Sequence, residues 1–147
     1  VAFLDMVENH KMIVENSGLL TVAALKHMDV KKKKIVSILS GGNMDVITMA
    51  SIVQHGLILR DRVFTVSVLL PDKPGELARV SAILAEIQAN VIKLEHNQFV
   101  SLNRNAAVEL RITMEAFGTE HKREIVETLN DHGYRPKLVK GSGTYND

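Results

Sequence analysis

The stretch "VFTVSVLLPDKPGELARVSAILAEI", Val63 to Ile87, decides the fold. Its first eight residues alternate. Phe64, Val66, Val68 and Leu70 share one side of an extended chain and Thr65 and Ser67 the other, the period of a strand with one face in a core. The pattern breaks at Pro71 to Gly75. Apolar residues then recur at Leu77, Val80, Leu84 and Ile87, a single helical stripe with Pro74 just inside or before the first turn.

Reading on toward the C-terminus, Asn90 to Phe99 is a second strand, the polar "SLNRN" a turn, and Val108 to Met114 a third strand. Val108, Leu110, Ile112 and Met114 alternate there with Glu109, Arg111 and Thr113. Helix returns over Glu120 to His132, with Ile125, Val126 and Leu129 inward and Gly133 as C-cap. "YRPKLV" supplies a last short strand, and residues 141–147 read as a frayed tail. The order is βαββαβ, an α+β ferredoxin-like domain over residues 62–140. Both helices cover one sheet face, so the face bearing Thr65 and Ser67 meets water or a partner, and the edge strands are open to pairing between chains.

Toward the N-terminus the grammar is different. The opening "VAFLDMVENH" is apolar-periodic, with Val1, Leu4 and Val7 on one face and no capping residue ahead of them, so it reads as a cut rather than a beginning. "KMIVE", Lys11 to Glu15, is a β-favouring run, and Ser17 stands as N-cap to "SGLLTVAALKHM". The lysines Lys31 to Lys34 form a solvated loop before "IVSIL", Ile35 to Leu39, an apolar run of the kind found in strands covered on both faces. Strand, helix, strand suggests a βαβ unit. "SGGN", Ser40 to Asn43, turns into a helix over Met44 to His55, with Asn43 at its cap and Gly56 past its end, and "LILRDR" connects to the second domain. Taken alone, "SGGN" is a tight turn with a helix cap or, less often, a cofactor contact.

Composition bounds the functions. Apolar residues are 46% of the 147 and charged residues 24%, the balance of an ordinary folded domain. A net charge of +1 and 4% aromatics provide neither the field nor the stacking platforms that nucleic acid needs. No apolar run reaches the length of a membrane helix, and acids stand where a signal peptide needs positive charge, so a cytoplasmic protein is expected. The absence of Cys fits a reducing compartment and excludes disulfides and thiolate sites. The six histidines show no metal-ligand spacing, so no metal is expected.

Two stretches resemble known families. "PDKPGELARVSAILAEIQANVIKLEH", Pro71 to His96, with "AVELRITMEAFGTEHKREIVETLNDHGY", is similar to an ACT domain, a small regulatory amino-acid-binding module. "KMIVENSGLLTVAAL" with "KIVSILSGGNMD" resembles the end of the catalytic domain of threonine dehydratases (threonine ammonia-lyases), enzymes of fold-type II that use pyridoxal phosphate. Together the resemblances imply that residues 1–58 are an α/β remnant of that catalytic domain, attached to one regulatory domain, in a parent that deaminates threonine to 2-oxobutanoate.

The resemblance also carries site residues. Ser40 would share the hydrogen bond at the pyridine nitrogen of the cofactor, Gly41 and Gly42 would let the backbone pass close to the ring, and Glu15 would lie nearby, although the "NSGLL" after it departs from the family pattern. No Ser-x-Lys motif for the Schiff-base lysine is present, so the resemblance implies no catalytic residue, no bound cofactor and no activity in these 147 residues alone. In the regulatory module the implied ligand is a small apolar amino acid such as isoleucine or valine. Its site would be Leu70, Asp72, Lys73, Pro74, Gly75, Glu76 and Leu77 with Asn90, Val91 and Ile92. Amides at Gly75 to Leu77 would take the carboxylate, and Asp72 with Asn90 the ammonium. The alternatives are a purely structural oligomerisation module with no ligand, or the regulatory part of a related serine/threonine deaminase. At least a dimer is expected.

Overall fold

A computed structural model describes residues 1–97 and 107–139; the "SLNRN" turn, the end of the second expected strand and the expected tail lie outside them. The chain divides into two compact units, Val1–Leu59 and the part from Arg60 onward.

In the first unit, helix α1 (Ala2–Asp5) continues as a π-helical turn, Met6–His10, that ends where Lys11 takes a left-handed conformation. A 3₁₀ turn, Ser17–Leu19, leads into α2 (Leu20–Leu25), and α3 spans Val46–Leu59. Phe3, Met6, Val14 and Leu19 make the core, with Leu39, Met44, Met49 and Ile52 packed against it.

Several expectations for this unit are corrected. Neither Lys11–Glu15 nor Ile35–Leu39 forms a ladder, and the βαβ reading fails among the described residues. What remains is one backbone bond, Glu15 N–H to Gly41 O at 3.2 Å, and a bond from Ser37 Oγ to Thr21 Oγ1 at 2.5 Å. Val36 and Ile38 are 92% and 77% exposed instead of covered on both faces. Ser17 opens the 3₁₀ turn instead of capping the helix; Leu19 is the N-cap of α2, and the Ser17 hydroxyl turns to Glu15. The cap of α3 is Asp45, not Asn43: Asp45 Oδ1 accepts the Thr48 N–H at 2.9 Å, and the Thr48 hydroxyl first, then this backbone bond, hold the Asp45 carboxyl below its usual pKa. Gly56 is buried inside α3 rather than past its end, and glycine suits it there because a Cβ would press on Leu4 of α1.

The second unit follows the alternation. Strand β1 (Val63–Pro71), helix α4 (Glu76–Glu86), β2 (Asn90–Asn97), β3 (Ala107–Glu115), α5 (Thr119–Asp131) and β4 (Lys137–Leu138) run in the ferredoxin-like order. The sheet order is β2-β3-β1-β4, every pair antiparallel. Val66, Val68, Leu110, Ile112 and Met114 on one sheet face meet Val80 and Leu84 of α4 and Ile125 and Leu129 of α5. Leu77, expected on the apolar stripe, is 40% exposed, and Ile83 takes its place inside. The last strand is only two residues long, shorter than "YRPKLV" suggests.

The opposite sheet face is polar and joined laterally. Thr65 and Thr113 hydroxyls pair at 2.9 Å across β1 and β3. Ser67 Oγ donates to Glu109 Oε1 at 2.6 Å, and Arg111 Nε reaches the same oxygen at 3.3 Å. The Ser67 bond, then Arg111, hold the Glu109 carboxyl below its usual pKa. These bonds let polar side chains lie flat on a half-covered sheet without leaving buried donors unpaired.

Both helices of the second unit close in the same way. After α5, the Tyr134 N–H reaches Leu129 O at 2.9 Å and the Gly133 N–H reaches Asn130 O at 2.8 Å, the two bonds of a Schellman cap, with Gly133 at φ +86°. After α4, Ala89 N–H to Leu84 O and Gln88 N–H to Ala85 O repeat the motif, but the left-handed residue is Gln88, at φ +56°.

Candidate functional site

The effector residues expected from sequence sit in two places. Leu70 is buried at the end of β1, and Asp72, Lys73 and Pro74 are exposed in the turn that follows. Gly75 is the N-cap of α4 at φ +92°, a conformation that L side chains enter at a cost, which is why glycine stands there. A Cβ at Gly75 would meet no atom within 4 Å, so the constraint is the backbone and not space. The Glu76 N–H points to Lys73 O at 3.4 Å, so this amide is partly spent within the turn. Glu76 itself receives the Tyr134 hydroxyl on Oε2 at 3.2 Å and Arg79 Nη1 on Oε1 at 3.4 Å. Burial first, and then Glu76, push the Tyr134 phenol above its usual pKa.

Asn90, Val91 and Ile92 open β2 at the other end of the sheet. Asn90 pairs with Glu115, which pairs with Val63, whereas Asp72 follows Pro71. Eight residue steps along β1 separate these ends, roughly 26 Å at the rise of an extended strand. Within one chain Asp72 and Asn90 therefore cannot hold one ammonium. Asn90 Nδ2 donates to Glu115 Oε2 at 2.7 Å. Val91 and Ile92 are 39% and 47% exposed, and a bulge between Val91 and Lys93 interrupts the ladder there.

A cleft of about 600 Å³ lies at this second end, between the end of α4 and the start of α5, and its lining includes Glu86, Phe117 and His121 but none of the expected effector residues. His121 is fixed by two bonds. Its Nδ1 accepts the Phe117 N–H at 3.1 Å, so Nε2 carries the proton and donates to Ile87 O at 2.7 Å.

In the first unit the structure does gather the expected residues. The Glu15 N–H bonds Gly41 O, and the Glu15 side chain lies where a Cβ on Gly41 would be; Gly41 stands at φ +79°. Ser40 is exposed beside them, and Gly42 has nothing within 4 Å of its missing Cβ. Two residues missed by the sequence reading belong to this cluster. Ser17 Oγ donates to Glu15 Oε1 at 2.5 Å, and buried Gly18 lies directly under the Ser40 carbonyl. The adjacent small residues in "NSGLL" were the available signal. Among the described residues no cluster of His, Asp or Glu could hold a metal ion. No helix there is long and apolar enough to cross a membrane.

An all-antiparallel sheet in the order β2-β3-β1-β4, with two helices on one face, places the second unit in the ferredoxin-like class. Sequence comparison then finds the chain similar to part of proteins named L-threonine ammonia-lyase or L-threonine dehydratase. It is 34% identical over 142 residues, 95% of its length, to L-threonine ammonia-lyase of Geobacter sulfurreducens. It is 32% identical over 139 residues, 94% of its length, to that of Thermotoga maritima. A biosynthetic L-threonine dehydratase of Corynebacterium glutamicum is 39% identical over 75 residues, half of the chain. The chain spans about a third of the length of the first two relatives, 35% in each. No family model matches. Among solved structures, the C-terminal domain of an ABC transporter ATP-binding protein from Enterococcus faecalis covers 61% of the chain at 18% identity with a TM-score of 0.37, too low a score to bear on function.

Proposed function

We propose that the chain is the C-terminal part of a threonine ammonia-lyase: residues 1–58 the end of its pyridoxal phosphate-dependent catalytic domain, and residues 62–140 an ACT regulatory domain that binds a small apolar amino acid. The observation that carries this reading is homology to threonine ammonia-lyases along nearly the whole chain, joined to a ferredoxin-like second unit. The absence of Cys fits the reducing cytoplasm expected for such an enzyme.

The residues of the first unit suit one edge of the cofactor. Bare backbone at Gly42 leaves room for a flat ring, the Glu15 side chain fills the space over Gly41, and the exposed Ser40 hydroxyl stands beside them. The cofactor, when bound, withdraws electrons from the α-carbon of the amino acid substrate. This chain's share is to present a neutral hydroxyl to the pyridine nitrogen and to leave clearance for the ring. It holds neither the lysine motif nor a phosphate-binding glycine loop, so by itself it neither deaminates threonine nor retains the cofactor.

In the second unit, the turn Asp72 to Leu77 would take the ligand's charged groups, and Asn90 to Ile92 would supply polar and apolar contacts. These halves lie at opposite ends of one sheet, so the complete site needs two copies. An antiparallel two-fold pairing brings the Asp72 end of one copy to the Asn90 end of the other, and makes ligand binding depend on assembly. Titrating isoleucine, valine and the remaining amino acids while following the thermal midpoint tests this. Ligand at a hundredfold its dissociation constant stabilises by about 2.7 kcal/mol. No shift with any amino acid leaves the module a structural oligomerisation element.

A further inference from the structure

We propose that Ser17 and Gly18 are positioning residues for Ser40: they clamp the turn Glu15–Gly18 against the turn Ser40–Gly41 and so fix where the Ser40 hydroxyl is presented to the cofactor ring. This rests on the reading of residues 1–58 given above. The argument is steric first. A Cβ on Gly18 would fall inside the Ser40 carbonyl oxygen, with the Ser40 carbonyl carbon and Val14 Cγ1 each at 2.9 Å, so only a hydrogen at this position permits the approach. Gly18 is buried and not left-handed, so neither exposure nor an unusual backbone explains the glycine. The packing is reciprocal. On the other turn, a Cβ on Gly41 would overlap the Glu15 side chain. Gly18 thus lets the backbone of the two turns come closer than any side chain would allow, and Gly41, itself at φ +79°, leaves the space that the Glu15 side chain fills.

Polar bonds then set the register of the contact. The Glu15 N–H holds Gly41 O at 3.2 Å, and Ser17 Oγ holds Glu15 Oε1 at 2.5 Å, which keeps the carboxylate folded over Gly41. Ser17 acts through Glu15, and Gly18 acts through the Ser40 backbone. A position held to a fraction of an ångström matters for a hydrogen bond to a ring nitrogen, which weakens steeply with misalignment.

The test has two readouts. In the 147-residue chain, Gly18→Ala should speed hydrogen exchange at the Glu15 amide tenfold or more, while Val66 and Ile112 amides in the second unit exchange as before. Unchanged exchange at Glu15 overturns the clamp. In the full-length polypeptide, Ser17→Ala, an exposed change that spares the steric contact, should weaken pyridoxal phosphate several-fold in a fluorescence titration and shift the absorbance maximum of the bound cofactor. Ser17→Thr, which keeps the hydroxyl, should restore both. Affinity and spectrum unchanged in Ser17→Ala overturn the positioning role even if the exchange result holds. A wild-type full-length chain that leaves the cofactor spectrum as it is in free solution ends the cofactor reading, and the positioning role with it, whatever the exchange shows.

Discussion

The Tyr134 hydroxyl, just past the end of α5, donates to Glu76 Oε2 at the start of α4, 3.2 Å away and 58 residues distant in sequence. It ties the turn that carries Asp72 to Gly75 to the far helix of the same unit. Tyr134 is 6% exposed, and its ring belongs to the core. Tyr134→Phe keeps the packing and removes the bond, so a loss of about 0.5–1.5 kcal/mol in urea unfolding is expected. Because the folded-state pKa of Tyr134 is raised, its stabilising share is complete below the unfolded value of 10.0 and declines as pH rises through the folded value. Wild type should therefore lose stability in strong alkali faster than Tyr134→Phe; parallel pH profiles would show that the phenol is not the titrating group.

At the acid end the corresponding group is Asp61. It receives Lys122 Nζ on Oδ1 at 2.6 Å and the Thr119 hydroxyl on Oδ2 at 2.9 Å, and these bonds, Lys122 first, hold its carboxyl below its ordinary pKa. A lowered folded-state pKa contributes stability that is present above the unfolded value and lost as pH falls through the folded one. Asp61→Asn suits the left-handed backbone at φ +54° and should cost about 0.5–1 kcal/mol at pH 7. The variant should lack the wild-type decline below pH 4 that Asp61 causes. Equal slopes in acid unfolding would assign that decline to other carboxylates, Glu109 first.

How far these features could be read from sequence depends on what makes them. Val63 to Leu70 and Val108 to Met114 became strands where expected because alternation and burial agree, and the core side of each is the apolar side. Ile35 to Leu39 carries an equally apolar pattern, yet among the described residues it has no ladder partner, so propensity alone does not make it a strand. Asp45 displaced Asn43 as cap because a cap is set by a one-residue choice of where the helix begins, which periodicity does not resolve. The separation of Asp72 from Asn90 was hidden for another reason: spacing along the chain says nothing of which sheet end a residue occupies until strand order is known. The small residues Ser17 and Gly18 hinted at a close approach, but nothing local shows that the partner is Ser40, 22 positions away.

Two chemically different residues occupy the same place in two similar caps, and they should respond oppositely. Gly133 at φ +86° closes α5, and Gln88 at φ +56° closes α4. A left-handed L residue costs roughly 1–2 kcal/mol, less the entropy that glycine adds to the unfolded chain. Gly133→Ala should thus destabilise by about 1 kcal/mol. Gln88→Gly should stabilise by about 0.5–1 kcal/mol. Thermal unfolding of both variants measures this, and a loss in Gln88→Gly would mean that its side chain makes a contact worth more than the strain.

The shared-site reading of the second unit makes a prediction that a one-chain site does not. Asp72→Ala should weaken isoleucine or valine through loss of an ammonium partner, and Asn90→Ala by about 1–3 kcal/mol through loss of a polar contact otherwise turned to Glu115. Both substitutions lie at exposed positions, so each variant should remain folded. In a two-fold dimer with sites built across the interface, each site takes its Asp72 from one copy and its Asn90 from the other. A mixed dimer of the two variants then holds one site with both losses and one with none. After unfolding and refolding an equimolar mixture, half of the dimers are mixed, so about a quarter of all sites should regain wild-type affinity. Calorimetric titration of the mixture against the separate variants reads that fraction directly. A mixture that binds no better than its components would place the whole site within one chain, and Asp72 and Asn90 could not then both belong to it.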